Sequence, residues 1–130
     1  MNALDNELID KASFSYGDIR GQDRWEEFTV TASLTIVGTP TYLGRYRFVG
    51  KSCQFQISAI ASTSIASTAG THYFVLPATA KGIGGFATMT NDTTNIAVGI
   101  AHIDVATSRC YLPTLGASAD LFTVAGYYEI

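Results

Sequence analysis

From Trp25 onward almost every stretch between turn signals alternates apolar and polar side chains with period two, which fits a strand and not a helix. Phe28, Val30, Ala32, Leu34 and Ile36 alternate with Thr29, Thr31, Ser33 and Thr35. That alternation predicts one long half-buried strand ended by Gly38-Thr39-Pro40. Over 52–61, Cys53, Phe55, Ile57 and Ala59 share one face, and Ser52, Gln54, Gln56, Ser58 and Ile60 the other. The second face is polar yet carries no charge. Further strands are expected at 45–49, 72–77, 86–90, 96–105, 108–112 and 121–129. Breakers separate them: Gly50, Gly70, "KGIGG" (81–85), "TNDTTN" (90–95), "TLGASAD" (114–120), Pro77 and Pro113. About eight short strands with regular turn signals specify an all-β chain, an antiparallel, jelly-roll-like β-sandwich.

The first residues follow another pattern. Leu4, Leu8, Ile9 and Ala12 make a short helical stripe, and "SYGDIRGQD" (15–23) reads as loop. Residues 1–24 are therefore expected to form a neck or linker, and 25–130 the sandwich. Residues 1–27 hold seven acids and three bases; the remainder holds four acids and five bases. "MNALDNELIDKA" has neither a basic start nor an apolar run, so no export leader is expected. "IAVGIAHIDVA" (96–106) is too short to span a bilayer. Membrane insertion is not expected.

Charge limits the partners. The net charge is −3 and no basic stripe exists, so nucleic acid is excluded as a partner. Charged residues make up 15% of the chain, against about 25% in ordinary domains. Ser, Thr, Ala and Gly fill the surface instead, which suggests that a neighbouring subunit covers part of it. The strand 96–105 points the same way. Ile96, Val98 and Ile100 lie on one face, and Ala97, Gly99, Ala101, Ile103 and Val105 on the other. Two apolar faces in so small a domain predict an oligomer interface.

Catalytic signatures are thin. The chain has no G-x-S-x-G elbow and no H-E-x-x-H, and "KGIGG" lacks the lysine that completes a phosphate loop. His102 and Asp104 share a strand face and read as a hydrogen-bonded, partly buried pair, too few groups for a metal site. Cys53 and Cys110 lack metal-ligand spacing and read as buried free thiols. No catalytic residue, metal or cofactor is assigned. Sugar recognition joins exposed aromatics to amide and carboxylate partners. The candidate ligand-binding residues are accordingly Asn91, Asp92 and Asn95 on the 90–95 loop, with Tyr127 and Tyr128 near the C-terminus. Trp25 and Tyr42 are further available aromatics.

The residue order itself carries a likeness. It runs from strand 28–36 through "GTP" and "YLGRYRFVGK" to "CQFQISA", then "YFVLPATA", and closes on "VAGYYEI". This order resembles the C-terminal β-sandwich modules of bacteriophage tail spikes and tail fibres, in which a GRY-x-x-VG hairpin joins two core strands. The likeness covers roughly residues 25 to 130. It implies a homotrimer in a virion tail, assembled in the host cytoplasm. Gly44 and Gly50 would make tight bends, Tyr46 and Phe48 would enter the core, and Arg45 and Arg47 would face outward or a neighbouring subunit. The function it implies is a non-enzymatic structural and adhesion module that trimerises and contacts host surface polysaccharide. The alternatives are a carbohydrate-active enzyme domain, in which two of Asp92, Asp104, Asp120 and Glu129 serve as catalytic carboxylates, and a capsid decoration or head-fibre protein.

Overall fold

A computed structural model of the chain describes residues 24–82 and 85–130. The helical stripe at Leu4–Ala12 and all of the expected neck except Arg24 lie outside them. The described residues are all-β. Twelve strands run in chain order: β1 (Glu26–Phe28), β2 (Ala32–Ser33), β3 (Thr35–Val37), β4 (Thr41–Val49), β5 (Ser52–Ile60), β6 (Ser64–Ser67), β7 (Tyr73–Val75), β8 (Gly85–Asn91), β9 (Ile96–Asp104), β10 (Arg109–Tyr111), β11 (Leu115–Ser118) and β12 (Leu121–Glu129).

Nine of them form one antiparallel sheet in the order β1-β4-β5-β12-β8-β9-β10-β7-β2, and β11-β6-β3 form a second. The large sheet curls on itself. Tyr42 of β4 and Phe74 of β7, far apart in the strand order, meet edge to face with ring centroids 6.0 Å apart. The curl passes through β9, whose Ile96–Ala101 half pairs with β8 and whose His102–Asp104 end pairs with β10. Within the half paired to β8, a register shift at Val98 sets Met89 opposite Gly99 but Thr90 opposite Ala97. A bulge of this kind bends a strand and re-aims its side chains.

The core sits inside the curl. Every second residue of β5 is buried (Cys53, Phe55, Ile57, Ala59), as the alternation requires. Phe122, Val124 and Tyr128 of β12, Ala87 and Met89 of β8, Ala101 and Ile103 of β9, and Phe74, Cys110 and Leu112 join it, as do Ile65 of β6 and the loop residues Ala61, Leu76 and Ala80. Each large side chain so buried contributes about 1.5–3 kcal/mol relative to exposure. Tyr46 and Phe48 pack against this core, as expected from their phase on β4.

Three expectations need correction. The strand expected over 28–36 is three strands, because the chain leaves β4 after β1, pairs with β7 through β2, and then crosses to β6 through β3. Its alternation survives at Phe28, Val30, Ala32 and Leu34, which pack on the core, while Ile36 is exposed. Two segments outside the expected strands, 64–67 and, within the "TLGASAD" breaker, 115–118, are the paired strands β6 and β11. The described residues therefore form twelve strands where about eight were expected. Finally, Gly44 is no bend. It lies mid-strand, where a Cβ would sit 2.6 Å from Val30 Cγ2 and 2.8 Å from Phe28 Cε1. Gly50, with φ +61°, is the bend: it opens the two-residue turn Gly50-Lys51 that pairs Val49 with Ser52.

Candidate functional site

The β4-β5 hairpin aligns two rows across its outer face. With the turn at Gly50-Lys51, Arg47 falls opposite Gln54 and Arg45 opposite Gln56. Arg45 Nε donates to Gln56 Oε1 at 2.8 Å, and Arg47 Nε to Gln54 Oε1 at 2.7 Å. Both guanidinium carbons lie close to the Trp25 ring, 4.6 and 4.8 Å from its centroid. Such stacking holds a planar cation without removing its remaining N–H groups from use.

The same rows continue onto β12 and β8. Tyr127 pairs in register with Gln54 and with Phe86, and Ala125 with Gln56 and Thr88. Tyr127 and Phe86 are 45% and 50% exposed, with ring centroids 6.5 Å apart. Between them and Trp25 runs an open groove of about 400 Å³ whose lining includes Arg45, Gln54 and Gln56. Among the described residues, no carboxylate lines it. Glu27, the register partner of Arg45 on β1, lies outside the lining.

The candidate ligand residues do not come together. Tyr127 stands at the groove, but Tyr128, one position on, is 1% exposed and faces the core. Its hydroxyl accepts from Ala78 N at 2.9 Å and donates to Ala78 O at 2.8 Å, and burial pushes its pKa upward. It is not available to a surface ligand. Asn91 and Asp92 are used within the fold. Asn91 Oδ1 accepts from Thr93 N and Thr94 N, while its Nδ2 donates to Asp120 Oδ2 at 2.8 Å. Asp92 accepts from Thr90 Oγ1 at 3.0 Å and from Thr123 Oγ1. Asn95 is exposed in the β8-β9 turn with φ 60°, a backbone conformation that asparagine tolerates. The 90–95 loop is thus a turn tied to β12.

His102 and Asp104 also depart from expectation. Asp104 accepts from Thr107 Oγ1 in the turn after β9, and His102 is exposed opposite Tyr111. Beside them Arg109 lies over the Tyr73 ring at 4.0 Å. Among the described residues, no group of three or more His, Cys, Asp or Glu side chains gathers as metal ligands. Cys53 and Cys110 are free and buried, and desolvation pushes the Cys110 thiol up to about 12.

On β9 the bulge divides the two apolar faces unequally. Ala101 and Ile103 are buried in the core and Val98 packs against it, whereas Ile96 and Ile100 are 62% and 68% exposed. Trp25 was noted as an available aromatic, whereas Arg45, Gln54, Gln56 and Phe86 were absent from the ligand-binding candidates. The signal for the glutamines was their alternation with core residues on a hairpin of known turn, which fixes their arginine partners. Comparisons with protein-family models, with characterised proteins and with solved structures found no match.

Proposed function

We propose that this chain is a non-enzymatic structural and adhesion module of the phage tail-spike or tail-fibre kind, working as a homotrimer in the virion. The observation that carries the assembly part is the outer face of β9. Ile96 and Ile100 stand well exposed there, in a chain with only 15% charged residues. Large exposed aliphatic side chains on a charge-poor surface favour a protein neighbour. The phage attribution rests on the "GRYRFVG" hairpin and the order of strands around it.

The adhesion part rests on the neighbouring rows. Aromatic rings flank amide and guanidinium groups on the outside of the sheet, an arrangement suited to sugar rings. Three copies on one axis would raise avidity without any new contact. Light scattering at micromolar concentration tests the assembly. A mass near three times 13.9 kDa is expected, and a stable monomer contradicts the trimer.

A further inference from the structure

The groove between Trp25 and the Tyr127–Phe86 pair has an unbalanced hydrogen-bonding character. Arginine can only donate, so the glutamine atoms that face Arg45 Nε and Arg47 Nε are the amide oxygens. The amide NH2 groups of Gln54 and Gln56 are thereby left for other partners. Arg45 keeps its terminal N–H groups, and the Trp25 indole adds one more donor. Backbone amides beneath the groove are engaged in the β5-β12 and β12-β8 ladders. Each glutamine oxygen keeps one further lone pair and the Tyr127 hydroxyl can also accept, so donors outnumber acceptors along the lining.

A neutral sugar presents hydroxyls, each bringing a donor that needs an acceptor, and carboxylate side chains usually supply it. No carboxylate lines this groove among the described residues. An acidic sugar reverses the requirement: its carboxylate accepts several hydrogen bonds and gains charge-assisted ones from guanidinium. We infer that the groove bounded by Trp25, Arg45, Gln54, Gln56, Phe86 and Tyr127 binds a carboxylated saccharide, such as a uronic-acid-containing glycan. The ring stacks on the exposed aromatics and its carboxylate meets Arg45 and the two amides. This inference rests on the adhesion reading above and narrows it to one chemical class.

The chain contains one tryptophan. Its emission therefore reports this groove alone, and full-length protein can be titrated with tetragalacturonate and, separately, with maltotetraose. The acidic oligosaccharide is expected to change the emission with a Kd in the millimolar to micromolar range. The neutral one should bind about tenfold or more weakly, as should the acidic one to Arg45→Gln, because each case loses a charge-assisted bond. Tyr127→Ala should weaken binding without moving the fold, checked by circular dichroism, and added salt should weaken it too. Equal affinity for both sugars, or no response to the acidic one, overturns the inference. Unchanged affinity in both variants would place any bound sugar elsewhere and overturn it equally. The assembly reading fails separately: a monomer that still prefers the acidic sugar would keep this inference and remove the trimer. Steady release of new reducing ends would instead contradict the non-enzymatic reading.

Discussion

Gly44 shows how much one missing methyl group decides in this chain. Phe28 and Val30 lie across it so closely that an added Cβ would stand 2.6–2.9 Å from their carbons. Gly44→Ala should therefore destabilise the protein by about 1–3 kcal/mol through overpacking. Gly116 gives the contrast, with nothing within 4 Å of a built Cβ. Gly116→Ala should be neutral or stabilising by up to roughly 1 kcal/mol, because it only restricts the unfolded chain. Urea unfolding midpoints of the two variants check both signs. The thiols belong to the same scale. Cys53 and Cys110 are fully buried, so a disulfide-exchange reagent should label them slowly in the native state and both of them after denaturation. Cys53→Ala should cost on the order of 1–2 kcal/mol as a small cavity. A fast-reacting thiol in the folded protein would contradict that burial.

At the scale of elements, legibility followed pairing distance. In the β4-β5 hairpin the turn at Gly50 and the inward phase of Tyr46, Phe48 and Phe55 were legible, whereas β4 begins at Thr41 and runs straight through the Gly44 expected as a bend. Strands β6 and β11 were not legible, since Ser64–Ser67 and Leu115–Ser118 are stabilised by pairing with each other across a long sequence gap. The β9 bulge was equally hidden, as it depends on what β8 presents. The same limit explains the 90–95 loop. Its polar residues looked available, yet Asn91 and Asp92 satisfy partners on β8, on β12 and within the turn itself. Asp92→Ala should accordingly lower stability by about 1 kcal/mol and leave saccharide binding unchanged. A loss of binding without loss of stability would return the loop to the site. Asp120 closes this cluster. Bonds from Ser118 Oγ and Asn91 Nδ2 favour its ionised form and lower its pKa below the ordinary 3.8. A group depressed in the folded state contributes fully above its unfolded pKa, and that contribution is lost as pH falls through the folded value. Acid unfolding of wild-type protein should then fall more steeply below about pH 4 than that of Asp120→Asn.

For the whole molecule, the curl of the nine-stranded sheet separates an apolar interior from an outer face whose charges are few, Arg45 and Arg47 among them. The interior was foreseeable: Phe55, Ile57, Phe122 and Val124 lie where alternation puts them. The outer face was foreseeable in composition but not in layout. Two apolar faces on 96–105 predict an interface without saying which face supplies it, and Ala101 on one of them is 3% exposed inside the protomer. A charge there would damage the fold itself. Ile100 is the position that separates assembly from folding, because its side chain is outside. The central claim is that this outer face joins copies of the chain, and light scattering of Ile100→Asp at micromolar concentration tests it most directly. An unpaired charge in an interface costs several kcal/mol, so the account predicts a folded species near 13.9 kDa where wild type is three times heavier. A variant that keeps the trimeric mass and its melting temperature would contradict it.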